Sequence, residues 1–328
     1  MKKQMYVFVV ALALLSSVGM AMAEQGTAAG EEAAGEQKIL TTGQAVVLGI
    51  VEGLTEYLPV SSTGHLLLAE NIMGIGHDPQ QSPAERQRIN EAINAYTIAI
   101  QAGAILAVLW LYFGRIKQIV RGLLGRDAAG RRLLVNVVAG FLPAAVFGLL
   151  LNGPIKAYLF GPWPVVFAWL VGGIAILAVS RRNRSRGEEQ HLGRAIETMT
   201  WQMALIIGFA QCIAMWPGVS RSLVTIVGGL LVGLTMTAAV EYSFLLGVLT
   251  LGAATAYDTL KHGALMLETF DQYALVLGVV VAFVAAVISV KWMVGYLSRH
   301  GLEIFGYYRV VIAIVTAVFL LTTEATLL

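Results

Sequence analysis

The feature that most constrains this chain is a series of apolar segments too long for a soluble fold to bury. Six of them, near residues 95–113, 133–151, 163–180, 238–257, 273–293 and 307–323, approach the ~20 residues that a helix needs to cross a bilayer. Apolar residues of the AVILMFWYC set make up 57% of the 328 residues, and charged residues only 13%. This composition excludes an ordinary soluble enzyme, a disordered protein and a nucleic-acid-binding protein. We therefore expect an all-α polytopic membrane protein with six transmembrane helices.

Two further apolar regions, 43–73 and 202–232, are interrupted in the middle by polar motifs that contain proline. Neither half of either region is long enough to cross comfortably, so we predict two re-entrant helical hairpins. Such hairpins are tolerated where protein or a wet cavity surrounds them.

A shift of 159 positions aligns the two interrupted regions and places Ser61 on Ser220. Three spans follow each hairpin, and because three is odd the second unit is predicted to lie inverted relative to the first. The repeats would cover about 41–180 and about 200–325, within a membrane domain at 41–328. Chance similarity between two glycine-rich apolar stretches is the alternative, and the equal span count favours the repeat.

The start of the chain and the distribution of basic residues both predict the orientation. Residues 1–23 have a basic start, a short apolar middle and a small-x-small end, which is typical of a cleaved signal peptide; an uncleaved anchor helix is the alternative. Residues 24–40 are predicted to be a flexible exported tail. Lys and Arg are concentrated in segments that one side of the membrane would share. These residues are Arg115, Lys117, Arg121, Arg126, Arg131, Arg132, Arg181, Arg182, Arg184, Arg186, Arg194, Lys291, Arg299 and Arg309. The positive-inside rule makes that side cytoplasmic, so the first hairpin opens to the outside.

Two glutamates in the first hairpin are unusual for a chain inside a membrane. Glu52 and Glu56 are four residues apart, so on a helix they share one face at about 6 Å. They could be oxygen ligands for Mg²⁺ or Ca²⁺, or one of them could be a general base. A charged pair at the level of the lipid headgroups is the alternative.

Hydroxyl residues and a histidine follow the proline of this hairpin. Ser61, Ser62 and Thr63 lie where a new helix would begin beyond Pro59, and a helix N-terminus suits an anion such as phosphate. Ser61 could instead be a simple helix cap. His65 lies three residues beyond Ser62 on the same face, so it could accept the serine proton or attack phosphorus itself.

The second hairpin carries an isolated arginine among hydroxyl residues. Arg221 is the only Lys or Arg between Arg194 and Lys261, and Ser220, Ser222 and Thr225 surround it. Deep in the membrane its guanidinium needs an anion, which a diphosphate or the two glutamates would provide. A purely structural Arg–Glu pair across the repeat interface is the alternative.

Two runs of these residues resemble the signature motifs of a known family. Glu52-Gly-Leu-Thr-Glu-Tyr-Leu-Pro-Val-Ser-Ser-Thr-Gly-His65 and Pro217-Gly-Val-Ser-Arg-Ser-Leu-Val-Thr225 are similar to those of the undecaprenyl-diphosphatase (bacitracin-resistance) family, and the likeness covers about 40–325. The resemblance implies hydrolysis of undecaprenyl diphosphate to the monophosphate and inorganic phosphate. This reaction recycles the lipid carrier for cell-wall synthesis at the outer face of the bacterial plasma membrane, and it confers bacitracin resistance.

The resemblance also implies roles for individual residues and for a divalent cation, Mg²⁺ or Ca²⁺. Glu52 and Glu56 form the acidic motif and hold the cation, Ser62 and His65 are nucleophile and base, and Arg221 clamps the diphosphate. Which of Ser62 and His65 attacks phosphorus stays open. The neighbouring hydroxyl residues are expected to bind substrate, and a homodimer is an alternative to a monomer. The substrate-binding set is Ser61, Thr63, Ser220, Ser222 and Thr225.

Three departures from the family pattern leave this chemistry untouched. Leu223 stands where glycine is frequent, Leu249 where proline is common, and typical members lack the N-terminal extension. The competing functional class is a transporter that flips the lipid monophosphate, because inverted repeats with facing hairpins also build alternating access. Ser62 with His65 favours the phosphatase, since a transporter needs an anion clamp but no nucleophile.

Overall fold

The computed structural model describes residues 40–76, 82–185 and 193–326 of the chain. These residues form eleven α-helices and two short 3-10 turns, Ile196–Thr198 and Ile213–Met215. The helices are α1 Thr42–Thr55, α2 Ser62–Ile72, α3 Pro83–Leu111, α4 Phe113–Leu123, α5 Ala128–Tyr158, α6 Pro162–Ser185, α7 Trp201–Cys212, α8 Arg221–Leu231, α9 Met236–Thr269, α10 Gln272–His300 and α11 Glu303–Thr326. The predicted signal peptide and the predicted tail up to residue 39 lie outside the described residues.

Six of these helices, α3, α5, α6, α9, α10 and α11, are long and apolar enough to cross a membrane. They coincide with the six predicted spans, so the all-α polytopic class is confirmed. Their surfaces expose large apolar side chains, such as Leu149 and Leu260 at 76% and 89%, as a surface in contact with lipid would.

The helices extend beyond the apolar segments that predicted them. The largest differences are at α9, which ends at Thr269 instead of near residue 257, and at α3, which begins at Pro83 instead of near residue 95. Its polar first turn is stabilised by a capping box, in which the Ser82 hydroxyl accepts from the Glu85 N–H and the Glu85 carboxylate accepts from the Ser82 N–H. Hydropathy detects only the part of a helix that suits hydrocarbon, and therefore misses such an extension.

The two predicted hairpins are present as the pairs α1–α2 and α7–α8. Helices α2 and α8 cover matching positions in the 159-residue offset. Each begins just after a serine with positive φ, 73° at Ser61 and 78° at Ser220, and these are the two non-glycine residues with positive φ in the described ranges. Such a conformation costs about 1–3 kcal/mol, so its recurrence at equivalent positions marks the repeat in the backbone itself.

One element interrupts the repeat. The segment predicted as a basic loop after the first span contains α4, an eleven-residue helix, whereas Phe270 and Asp271 alone join α9 to α10 in the second repeat. The loop prediction is wrong at this point because Ile116 and Ile119, spaced for one helix face, pack on the core and stabilise a helix too short for a hydropathy window.

Tight helix packing holds the first hairpin inside the bundle. Helix α1 lies along α10, where Gly49 and Gly53 permit a close approach: a Cβ at Gly49 would stand 2.7 Å from the Gly278 carbonyl oxygen. Ser289 of α10 donates to the Leu54 carbonyl at 2.8 Å, near the end of α1. These contacts fix the end of α1, where Glu52 lies in the last turn and Glu56 follows directly after the helix.

Candidate active site

The end of α1 places both glutamates at the junction of the two hairpins. Glu52 and Glu56 are buried, with 1% and 7% of their surface exposed. Oε1 of Glu56 accepts a hydrogen bond from Nη2 of Arg221 at 3.1 Å, and Oε2 accepts one from the Ser62 hydroxyl. The structure therefore brings together an acid and a serine from the first hairpin with the arginine of the second.

Arg221 is held in place from three sides. Its Nη1 donates to the Ser243 carbonyl at 3.0 Å, and its guanidinium carbon lies 5.2 Å from the centre of the Tyr57 ring. A Cβ at Gly247 would collide with the guanidinium, so glycine is required there for this position. The buried Nε has no hydrogen-bond partner among the described residues. The guanidinium thus retains a donor beyond its protein contacts.

Glu52 has an unsatisfied oxygen that suits a cation. Its Oε1 is buried without a hydrogen-bond partner in the described part of the chain. In the same residues no group of three or more His, Cys, Asp or Glu side chains could hold a metal ion, so the chain offers Glu52 and Glu56 and no closed cage. Mg²⁺ is often bound by one or two carboxylates together with substrate phosphates and water. The donor set therefore fits a cation that is shared with a bound phosphate.

The N-terminus of α2 is more open to an anion than that of α8. The Ser220 hydroxyl caps α8 by accepting from the Leu223 N–H at 3.3 Å. Ser61, at the equivalent position, makes no side-chain cap, so within the described structure the Gly64 N–H, which corresponds to that of Leu223, lacks this acceptor. Free N–H groups and the positive end of the helix dipole favour a phosphate at α2.

His65 is buried and both of its ring nitrogens have partners. Nδ1 lies 2.6 Å from the Ser61 carbonyl oxygen, and Nε2 lies 2.6 Å from the Tyr308 hydroxyl. A carbonyl oxygen only accepts, so Nδ1 carries the hydrogen and in the neutral ring Nε2 accepts from Tyr308. The Ser62 hydroxyl is accordingly paired with Glu56, and His65 bonds to the backbone at Ser61, directly before the start of α2.

The hydroxyl residues of the second hairpin bind protein. Ser222 and Ser220 donate to the Leu58 carbonyl at 2.8 and 3.4 Å, which joins the two hairpin breaks. Thr225 lies 2.7 Å from the Ser243 hydroxyl and donates to the Arg221 carbonyl at 2.8 Å. These contacts position the start of α8, and with it Arg221.

Arg309 is the residue that the sequence analysis placed wrongly. It was assigned to the cytoplasmic charges, but it is fully buried in α11. Its Nη2 donates to the Gly218 and Ala168 carbonyls at 2.8 and 2.9 Å, and its Nη1 to the Pro59 carbonyl at 3.4 Å. Arg309 thus ties both hairpin breaks to α6. The sequence did contain a signal for a buried role, because Arg309 directly precedes the apolar run of a predicted span. Its closeness to the predicted loop led to its assignment to that loop.

Comparison with known proteins identifies the family of this chain. The family model described as "Bacitracin resistance protein BacA" matches residues 45–315. A protein named undecaprenyl-diphosphatase from Sorangium cellulosum is 46% identical over 267 residues, which cover 81% of this chain and 82% of that protein. One of the same name from Nitrosomonas europaea is 43% identical over 268 residues, 81% of this chain and 90% of the relative. The chain therefore belongs to the bacitracin resistance protein BacA family.

Proposed function

We propose that this protein hydrolyses undecaprenyl diphosphate to undecaprenyl phosphate and inorganic phosphate. Membership of the family and the shared name of its relatives support this activity. The observation that carries the proposal is the buried series of contacts from Arg221 to Glu56 to Ser62 at the junction of the hairpins. A series of cation, acid and hydroxyl group is what phosphoryl transfer requires, and a passive anion site would not need the hydroxyl group.

Neutralising the phosphate charge is the first task of such a site. Arg221 of the second hairpin and the N–H groups at the start of α2 in the first hairpin would both offset the negative charge of the phosphate. Glu52 and Glu56 would hold a divalent cation, Mg²⁺ or Ca²⁺, and when bound this ion would offset charge on the phosphate oxygens. The unsatisfied Glu52 oxygen supports its role as a ligand.

Ser62 is the nucleophile in this proposal, and Glu56 accepts its proton. The serine oxygen attacks the terminal phosphorus, the bond from that phosphorus to the bridging oxygen breaks, and undecaprenyl phosphate leaves. Water then attacks the phosphorus of the phosphoserine, the bond from phosphorus to the serine oxygen breaks, and Glu56 returns its proton to that oxygen, so that inorganic phosphate leaves and Ser62 is restored. The engaged nitrogens of His65 favour Ser62 as the attacking group, and His65 as base is the alternative to Glu56 and stays a prediction.

The proposed setting is the bacterial plasma membrane, with the site open to the outer leaflet so that the lipid enters sideways between spans. The basic residues of α4 and of the loop that follows it support this orientation through the positive-inside rule, which does not depend on Arg309. Removal of undecaprenyl diphosphate at this face would give the bacitracin resistance for which the family is named. Substrate contacts of Ser61 and Thr63 belong to this proposal, and a homodimer stays a prediction.

Phosphate release from undecaprenyl diphosphate by the purified protein in detergent, with and without EDTA, tests the proposal. We expect release that EDTA abolishes and that Arg221→Ala lowers at least ~100-fold, the scale of losing one key electrostatic group. Arg88→Ala is the matched control, because that side chain is 65% exposed in a surface ion pair with Glu268. Near-wild-type release by Arg221→Ala would refute the site. Absence of release by folded wild type that binds the lipid would favour the transporter.

A further inference from the structure

Helix α4 has an exposed apolar face that the phosphatase proposal does not use. Phe113, Val120 and Leu123 expose 64%, 48% and 71% of their surface, and Leu124 just beyond the helix exposes 59%. Positions 113, 117, 120 and 124 fall on one side of a helix because of its 3.6-residue period. Ile119 on the far side of the helix and Ile116 at the edge of the stripe pack against the core, so α4 is anchored with this face turned outward.

Basic side chains flank the same face. Lys117 lies within the exposed stripe, and Arg121 lies at its edge. Both are exposed, and neither makes an ion pair with any residue in the described ranges. Arg126, Arg131 and Arg132 follow, also exposed. An amphipathic helix with apolar and basic residues arranged in this way lies in the plane of a membrane interface.

An open cavity of about 520 Å³ lies beside these cations. Arg115, Lys117, Arg121 and Asp127 line it together with Tyr112, Gln118, Leu111 and Gly114. Asp127 is occupied, because its carboxylate accepts from the Gly130 N–H at 2.9 Å and caps α5.

The charge of Arg115 is also largely satisfied by protein. Its Nε lies 2.6 Å from Glu241 and its Nη2 lies 2.7 Å from Glu197. These bonds hold Arg115 as a fixed wall of the cavity. Lys117 and Arg121 are therefore the charges that remain available to a ligand.

We propose that this cavity binds the headgroup of an anionic phospholipid of the cytoplasmic leaflet. The phosphate lies at Lys117 and Arg121, and the acyl chains lie along Phe113, Val120 and Leu124. Two properties select a lipid instead of a free anion: the cations border an exposed apolar stripe, and α4 directly follows the membrane-crossing helix α3. The inference depends on the membrane arrangement and not on the phosphatase chemistry.

Native mass spectrometry of the purified protein with phosphatidylglycerol or phosphatidylcholine tests the site. We expect tighter binding of phosphatidylglycerol by wild type, and a loss of roughly 5-fold for each cation removed, so about 25-fold for Lys117→Gln with Arg121→Gln. The matched control is Arg86→Gln with Arg88→Gln, two exposed arginines at the start of α3, which should leave the preference unchanged. Thermal unfolding in detergent should be the same as for wild type in both pairs, which shows that the fold is intact.

Substitution of the apolar stripe distinguishes a lipid from a free phosphate. Phe113→Asn with Leu124→Asn keeps both cations and should also weaken phosphatidylglycerol binding, because the acyl chains lose their contacts. Unchanged binding in that variant would mean that the site recognises the phosphate group alone, and it would overturn the lipid assignment. Equal affinity of wild type for the two lipids would overturn it as well, whether or not the protein hydrolyses undecaprenyl diphosphate.

Discussion

Replacing Gly247 by alanine would displace Arg221, the proposed diphosphate clamp, although no charged residue is replaced. A Cβ at this position would stand 2.7 Å from Cζ and 2.9 Å from Nη2 of Arg221, whereas ordinary van der Waals contact begins at 3.4 Å. The guanidinium must therefore move by roughly 1 Å or the helices must separate. A movement of that size would stretch the 3.1 Å bond from Nη2 to Glu56 beyond hydrogen-bonding range.

We expect this displacement to lower turnover by about 100-fold, because misplacing a catalytic group by 1 Å costs on that scale. Overpacking should also lower the free energy of unfolding by about 1–3 kcal/mol. Phosphate release under saturating substrate measures the first effect, and thermal unfolding in detergent measures the second.

Gly252→Ala is the matched control on the same helix. A Cβ there meets nothing within 4 Å, and the gain in helix propensity is the same at both positions. We expect wild-type turnover and equal or slightly higher stability from this variant. Wild-type turnover in folded Gly247→Ala would refute the argument that the position of Arg221 limits the reaction.

Three further changes test other contacts of the structure. Tyr308→Phe keeps the ring that stacks on His65 but removes the hydroxyl 2.6 Å from Nε2, so phosphate release should fall about 5- to 10-fold, the value of one hydrogen bond. Arg309→Met leaves buried carbonyls of both hairpins unpaired, and chemical denaturation should show a loss of about 2–4 kcal/mol. The Arg115 guanidinium lowers the pKa of Glu197, so this carboxylate stabilises the fold at neutral pH and ceases to do so as the pH falls through the lowered value. The Tm difference between wild type and Glu197→Gln should therefore shrink as the pH falls and vanish below the lowered pKa of Glu197.

Exposed neighbours provide the controls for the first two changes. Tyr307→Phe should leave turnover unchanged, since that ring is 45% exposed, and Arg299→Met should leave stability unchanged. A loss of turnover in Tyr307→Phe equal to that in Tyr308→Phe would contradict a specific role for the His65 contact. Wild-type stability of Arg309→Met would contradict its role in tying the hairpins together.

The hairpins are predictable from the sequence because their determinants are local. Pro59 and Pro217 prevent the first arm of each hairpin from continuing as a helix, although α1 and α7 already end at Thr55 and Cys212. Hydroxyl residues follow at the position where a new helix needs a cap. Arg221 was predicted to reach the first hairpin because an isolated cation in an apolar region needs an anion. Its contact with Glu56, 165 positions away, agrees with that argument.

The contacts that were missed depend on packing between distant elements. Arg309 bonds to Pro59 across 250 positions, and its nearness to Arg299 and Glu303 made it resemble part of a polar loop. The partner of Ser62 was also not predictable. The three-residue spacing suggested a contact between Ser62 and His65, but His65 bonds to the Ser61 carbonyl and the Ser62 hydroxyl bonds to Glu56. Spacing along a helix determines which residues share a face. It does not determine which of these residues will form hydrogen bonds with another helix that is distant in the sequence.

The rate of phosphate release by Ser62→Ala is the most direct test of the central claim, that the facing hairpins form a phosphatase site with Ser62 as its nucleophile. The account predicts a fall of at least ~100-fold in a variant that stays folded and keeps its affinity for undecaprenyl diphosphate. A rate near that of the wild type would contradict it and would move the attacking group to His65 or to water.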